Sequence, residues 1–156
     1  MPTFHQQYYD TLVYFHNSLR QQLKQCLLTL PSATQPPAVK TVCRNTLQFC
    51  DHLQRHHDVE EEVVFPSFAA VTDISHWSHS HESLHKTLGK VRKLARKGLD
   101  DEGRDFAQKQ ELIEELQTLS DIVLPHLSDE EYLSHPSESI KLWPTEQAMR
   151  HAFPWM

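Results

Sequence analysis

The sequence predicts an all-α protein, an antiparallel up-down-up-down four-helix bundle with a short C-terminal extension. Only three glycines occur in 156 residues, and Leu, Gln, Glu and Lys, which favour helices, are frequent. Apolar residues recur every three or four positions along four segments joined by short connections. We therefore expect one domain, in which residues 1–135 form the bundle and residues 136–156 form a tail that packs on it.

A proline-rich loop separates the first two predicted helices. The first is expected over residues 4–30, and the Thr3 side chain can cap it. Three prolines then interrupt the helical pattern, because proline lacks the backbone N–H that a helix uses. The second helix is expected over residues 39–70, with a kink at Pro66.

The third and fourth helices complete the predicted bundle. Asp73 or Ser75 can cap the third helix, which ends in a basic stretch just before Gly98. A polar connection follows at residues 99–104. The fourth helix carries the most regular apolar seam of the chain, and Pro125 predicts either a bend or a restart within it.

The C-terminal tail does not continue the four-helix pattern. It contains Trp143 and Trp155, and a short helix is expected at residues 144–152. The tail either packs over one end of the bundle, or its aromatic side chains gate a pocket or form a homodimer contact.

Composition argues against two classes of partner. The formal net charge is −6, and no stripe of Lys and Arg is present to neutralise phosphates, so no nucleic acid is expected. The most apolar stretch, residues 63–71, is far shorter than the roughly 20 residues of a membrane span, and the first ten residues are unlike a signal peptide. We expect no membrane partner.

The three cysteines are an odd number, and none belongs to a CxxC pair. Cys43 and Cys50 lie seven positions apart on one predicted helix, about 10 Å along its axis, which is too far for a disulfide. We therefore expect reduced cysteines in the core of a cytoplasmic protein.

The spacing of the histidines and glutamates predicts a metal centre. Residues four apart on a helix share one face, and a pair of His with His or Glu at this spacing occurs on each of the second, third and fourth helices. A further histidine lies within the apolar stripe of the first helix. Burying these groups without partners would cost several kcal/mol for each charge, whereas bound metal compensates them together. The candidate ligands are His16, His56, Glu60, His81, His85, His126 and Glu130.

The number and type of these ligands favour two metal ions. Seven ligands exceed the four of a tetrahedral zinc site. Imidazole nitrogen and carboxylate oxygen without thiolate suit iron or manganese. We expect two ions, bridged by the carboxylates.

Four stretches carry a resemblance to a known family. They are FHNSLRQQL around His16, HHDVEEEVVFP from His56, HESLH from His81 and LPHLSDEE around His126. At these residues the sequence resembles the hemerythrin-like family with the HHE cation-binding domain, over about residues 15–131. The resemblance implies a hemerythrin-like bundle with two non-haem iron ions joined by an oxo or hydroxo bridge.

The resemblance also implies a role for each candidate ligand. One iron would be bound by His81, His85 and His126. The other would be bound by His16 and His56, with an open position, and Glu60 and Glu130 would bridge the two. Hydrocarbon packing would limit access of water, and the candidates for this lining are Leu12, Phe49, Leu53 and Trp77.

Three uses of such a centre remain open from the sequence. The first is binding of dioxygen or peroxide at the open position. The second is a redox enzyme, either a peroxide-disproportionating enzyme or an oxygen-activating oxidase or oxygenase with a small organic substrate. The third is an iron-responsive or iron-handling protein, in which metal occupancy controls folding.

The sequence also leaves alternatives for individual ligands. The carboxylate of Glu130 lies four residues after His126, whereas oxygen-carrying hemerythrins use an aspartate five residues after, a position that Glu131 occupies here. His57 and Glu61 form an alternative pair one residue out of phase with His56 and Glu60.

We prefer His56 to His57, because His56 is in step with Phe49 and Val63 and because His57 is expected toward the helix edge. His76 and His79 are expected on the surface.

Overall fold

The computed structural model describes residues 1–104 and 106–156, and this part of the chain is helical without any strand. The all-α prediction is confirmed. Each of the four longest helices contacts two of the others: α1 and α4 both pack against α2 and α5. The α-helices, in chain order, are α1 (Phe4–Thr29), α2 (Pro36–Val59), α3 (Phe65–Ala69), α4 (Ser75–Asp100), α5 (Lys109–Ser134), α6 (Pro136–Leu142) and α7 (Glu146–Ala152).

The first two helices begin where local chemistry favours a helix start. The Thr3 hydroxyl accepts a hydrogen bond from the Gln6 N–H at 3.2 Å, as expected for the cap of α1. α2 begins at Pro36, three residues before the predicted start, because the fixed φ of proline suits the first helical position.

The second predicted helix is interrupted at the level of the candidate ligands. After Val59 the chain makes one π-helical turn over Glu60–Val64 before α3 continues. In this turn the Phe65 N–H donates to the Glu60 carbonyl, five residues earlier. Because Pro66 has no N–H to extend a regular hydrogen-bond ladder, the expected irregularity is present, but it precedes the proline.

The prediction that α4 ends before Gly98 is wrong. The helix continues to Asp100, and a Cβ at Gly98 would lie 2.5 Å from the Cys43 sulfur, so the glycine permits close packing inside the helix. The actual end is a Schellman motif, in which the Glu102 N–H donates to the Leu99 carbonyl and the Gly103 N–H to the Gly98 carbonyl.

We expect Gly103→Ala to lower the free energy of unfolding by about 1–2 kcal/mol or more. Gly103 has a φ of +73°, and a Cβ there would collide with the backbone of Pro36. Gly89→Ala, on the open face of α4 where a Cβ meets nothing within 4 Å, should instead raise the free energy of unfolding by about 0.5–1 kcal/mol. Urea unfolding of the two variants at equal metal content would test this, and equal shifts would contradict it.

α5 is one continuous helix with Pro125 inside it, so the helix does not restart there. The tail forms α7 at residues 146–152, close to the expected helix, and also α6, which the sequence interpretation missed. α6 packs on α1 and α5, and α7 packs on α1. Trp143 is buried there, with a 4% exposed side chain, while Trp155 is 42% exposed.

The buried apolar residues form two clusters. The larger fills the bundle between the four long helices and includes the three free cysteines, Cys26, Cys43 and Cys50. The smaller cluster joins the start of α1, α3 and the start of α4 to the tail, around Phe68, Trp77 and Phe153. Across the described residues, none of the helices has the length and apolarity needed to cross a bilayer.

Candidate metal centre

A layer of buried polar side chains separates the two apolar clusters. Each of the four long helices contributes one fully buried histidine to this layer: His16 from α1, His57 from α2, His81 from α4 and His126 from α5, all at most 2% exposed. On α1, for example, His16 lies between Leu12 of the smaller cluster and Leu19 of the larger one.

The polar layer contains two groups of four side chains whose potential ligand atoms lie within 4.8 Å of one another. Glu60 belongs to both groups. One group consists of His16, His56, Glu60 and Glu130, and the other consists of His57, Glu60, His81 and His126.

The two carboxylates lie between the groups. Glu60 Oε1 is 2.5 Å from His56 Nε2, and Glu60 Oε2 is 3.7 Å from His81 Nε2. Glu130 Oε1 is 3.6 Å from His16 Nε2 and 3.3 Å from His126 Nε2. Each carboxylate thus faces one histidine of the first group and one histidine of the second, as a bridging ligand would.

Several buried atoms of this layer have no hydrogen-bond partner among the described residues. They are both carboxylate oxygens of Glu60, Oε1 of Glu130, Nε2 of His57 and Nδ1 of His126. Glu60 Oε1 approaches His56 closely, but not with the angles of a hydrogen bond. Because an unsatisfied buried polar atom costs about 1–3 kcal/mol, a concentration of them in one layer favours a site that could hold cations.

The distances between imidazole nitrogens fit the same explanation. His81 Nε2 and His126 Nε2 are 2.9 Å apart, and His16 Nε2 and His56 Nε2 are 3.2 Å apart. Without a metal ion, one nitrogen of each pair would have to carry a proton and donate it to the other. Metal–nitrogen bonds of about 2.1 Å place neighbouring ligand atoms roughly 3 Å apart, so the residues fit bound metal ions.

Burial favours neutral forms of these side chains when no cation is near. It raises the pKa of Glu60 to about 7 and the pKa of Glu130 well above its usual range, the latter also because the Glu60 carboxylate is close. Burial lowers the pKa of His126 to about 3, and it lowers that of His57 as well. The imidazoles therefore keep the lone pairs that metal binding requires.

Outer carboxylates orient two of the imidazoles. His16 Nδ1 lies 2.7 Å from Glu131 Oε2, and His81 Nδ1 lies 3.1 Å from Glu61 Oε1. Since an ionised carboxylate only accepts, each Nδ1 donates its proton and each Nε2 presents a lone pair to the centre. Burial alone would raise the pKa of Glu131, but hydrogen bonds from His16 and Arg20 lower it overall.

We expect Glu131→Ala to weaken metal binding by about 10–100-fold without removing a ligand, because His16 would lose the group that fixes its ring. Asp129→Ala, on the exposed face of α5 two residues away, is the matched control and should bind metal normally. The measurement is the midpoint of metal loss in a chelator titration. Equal midpoints for both variants would show that Glu131 does not position His16.

A family model described as the Hemerythrin HHE cation binding domain matches residues 7–136. The chain belongs to the hemerythrin family. The match spans most of α1 and the whole of α2, α4 and α5, and therefore every residue of the two groups. No curated protein and no solved structure matches the chain. Membership of a cation-binding family agrees with the unpartnered atoms of the polar layer, whose His and Glu side chains could hold metal.

The hemerythrin fold of this chain brings six of the seven predicted ligands together and leaves one outside. His16, His56, Glu60, His81, His126 and Glu130 all lie in the two groups. His85 belongs to neither group: its side chain is 39% exposed, and its Nε2 faces Glu61 Oε1 at 3.6 Å. His57 joins His81 and His126 instead, with its ring centroid 4.0 Å from that of His81.

The expectation that His57 points toward the helix edge is wrong, since only 1% of it is exposed. The apolar face of α2 runs through Phe49 and Leu53, and His57 follows Leu53 by four residues and precedes Glu60 by three. This spacing was a usable signal. His56, one residue earlier, borders the same face, with a 16% exposed side chain, so both histidines reach the polar layer.

Three further histidines outside the two groups lie on or near the surface. His76 and His79 are exposed at the start of α4, as expected. His52 is half-buried, and its Nδ1 lies 2.9 Å from the side-chain oxygen of Gln22.

An open cavity of about 450 Å³ reaches the polar layer from one side. His56 and Glu60 form part of its wall, and Leu12 lines it as the sequence interpretation expected. Phe49, Leu53 and Trp77 are buried in the core, but they are not among the lining residues.

Tyr8 is a residue of the cavity wall whose proximity to the centre the sequence did not reveal. Burial raises its pKa, and so do the nearby carboxylates of Glu130 and Glu60. The phenol is therefore neutral and keeps its proton as a hydrogen-bond donor.

Proposed function

We propose that this protein binds two iron ions in an antiparallel up-down-up-down bundle and binds dioxygen or peroxide at that centre. The observation that carries the proposal is the pair of ligand groups that share Glu60, in a layer where both of its carboxylate oxygens lack hydrogen bonds. Contacts of α1 and α4 with α2 and α5 support the bundle topology. Residues 1–135 would form the functional domain, with residues 136–156 packed against it.

The proposed ligand set follows the two groups. His16 and His56 would hold one ion, and His57, His81 and His126 would hold the other, with Glu60 and Glu130 between them. The nitrogen and oxygen donors without thiolate favour iron over zinc. In this set His57 takes the place of His85, which the sequence analysis had named as a ligand.

A pair of ferrous ions supplies electrons that can be shared with or transferred to dioxygen. The side chains of the chain itself control access and charge. Leu12 and Val64 keep the cavity side of the centre apolar, and both belong to the smaller core cluster. Glu131 and Glu61 hold the protons of His16 and His81 on Nδ1, away from the centre.

The side with two histidines is the accessible one. His16 is fully buried, but the His56 side chain is 16% exposed and lines the cavity. His57, His81 and His126 are each at most 2% exposed, and none of them lines the cavity. We therefore place the small-molecule position next to His56 and Glu60.

A redox enzyme is the second candidate function, and the cavity favours it. A carrier of dioxygen needs only a narrow path, whereas about 450 Å³ beside the centre is enough for an organic substrate. Iron handling remains a third use, since the unpartnered carboxylates would make the fold depend on bound metal.

The test is anaerobic reconstitution with ferrous iron, followed by metal counting and visible spectra before adding air, after adding it and after removing it. Two ions per chain and an absorption band that appears and disappears reversibly would support binding of dioxygen. An irreversible spectral change together with consumption of peroxide would favour the enzyme. Failure to bind iron under these conditions would overturn the proposal.

A further inference from the structure

The cavity beside the polar layer is apolar and has one open side. It lies between α1 and α2 and is bordered by the C-terminal residues Trp155 and Met156. Its deeper wall is mostly hydrocarbon, from Leu12, Leu19 and Val64. Its volume of about 450 Å³ is in the range of ligand-binding pockets, and far larger than dioxygen requires.

Charged groups of opposite sign lie at different depths of this cavity. Glu60, 1% exposed, is part of the inner wall, and Glu130 lies just behind it in the polar layer. Arg55 lines the cavity from an exposed position on α2. In the part of the chain that the structure describes, no carboxylate forms an ion pair with Arg55. An anionic head is therefore favoured at the rim and disfavoured at the inner wall.

The rim also exposes more apolar surface than its surroundings require. Phe15 and Val59 are 53% and 46% exposed, and Trp155 and Met156 are 42% and 45% exposed, all at the cavity. Single exposed apolar residues are ordinary, but four around one opening mark a binding surface. Because the apolar surface continues inward as a cavity, it fits the hydrocarbon chain of an inserted ligand better than the flat face of a second protein copy.

We propose that this cavity binds a medium-chain fatty acid or a similar amphipathic carboxylate, with its carboxylate at Arg55 and its apolar chain directed toward His56 and Glu60. This goes beyond the binding of iron and of a small oxidant. The ligand would also cover the accessible side of the polar layer, so it is placed to act as the organic substrate, or as a plug, of that centre.

The test is equilibrium binding of dodecanoate and of dodecanol to the purified protein, by calorimetry below the micelle concentration. Dodecanoate should bind saturably at one site per chain. Arg55→Gln should weaken dodecanoate binding about tenfold, because the variant removes the cation that pairs with the carboxylate, and it should leave dodecanol binding unchanged. Arg44→Gln, at an exposed position on the same helix outside the cavity, is the matched control and should change neither.

A second pair of variants tests the cavity itself. Leu12→Trp should abolish binding of both compounds by filling the space. Since Leu12 is buried, Thr11→Trp at an exposed lining position gives the same test without a change in the core. Leu28→Trp, exposed on the same helix outside the cavity, should bind both normally.

Three outcomes would overturn the proposal. The first is absence of saturable dodecanoate binding, the second is equal binding by Arg55→Gln and wild type, and the third is a dimer whose formation buries Trp155 and excludes dodecanoate. Iron is counted on the same samples. A protein that binds dodecanoate without iron would keep this proposal and reject the proposed function, and a protein that binds iron without dodecanoate would do the reverse.

Discussion

Glu60→Ala should leave the protein with almost no bound iron. Glu60 is the residue common to both candidate ligand groups, so its removal deprives both proposed ions of a ligand at once. Loss of an outer partner of a ligand costs about 10–100-fold in affinity, and loss of a shared ligand should exceed the upper end of that range. The measurement is iron per chain after anaerobic reconstitution with ferrous iron and gel filtration.

Two variants serve as controls for this experiment. Glu62→Ala changes an exposed carboxylate in the same π-helical turn, and His79→Ala removes an exposed histidine on α4. Both should retain the iron content of the wild type. If Glu60→Ala retains it too, Glu60 is not a ligand, and the proposed site would have to be abandoned.

The second large effect separates His57 from His85. His57→Ala should lower iron content sharply, because its Nε2 is buried without a partner beside His81 and His126. His85→Ala should retain most of the iron, since its side chain is 39% exposed and faces Glu61. Iron counting on both variants, with thermal unfolding to verify folding, gives the answer.

The reverse result has an equally clear meaning. Iron loss in His85→Ala together with normal iron in His57→Ala would restore the ligand set that the family resemblance implied. It would also mean that metal binding turns the start of α4 so that His85 faces inward.

Most of the helical architecture was predictable because burial imposes a period on the sequence. The apolar stripe of α1 and the apolar seam of α5 identify these helices. The Thr3 cap was predictable because a threonine hydroxyl at a helix start accepts a hydrogen bond from the N–H three residues later. The end of α4 was not predictable, because glycine serves both as a helix stop and as a site of close packing. Only the position of Cys43 in space shows that Gly98 has the second role.

The candidate site was predictable in its residue types and less so in its geometry. Spacing of four residues brings together pairs such as His126 and Glu130, and the structure places both in the polar layer. The His-to-Glu spacing alone does not decide between His56 and His57, because His56 pairs with Glu60 and His57 pairs with Glu61. Only the step of four residues from the buried Leu53 identifies His57 as the more buried of the two. The π-helical turn at Glu60 adds to this ambiguity, because it changes the helical phase where the ligands lie.

The division of the core by a polar layer has a consequence for unfolding. The larger cluster holds the four long helices together, whereas the smaller cluster joins the ends of the bundle to the tail. Metal ions bound to all four helices would couple these regions into one cooperative unit. After chelation, amide protons near Phe68 and Trp143 should exchange with solvent before those near Leu116, so that one end of the molecule opens while the other stays folded.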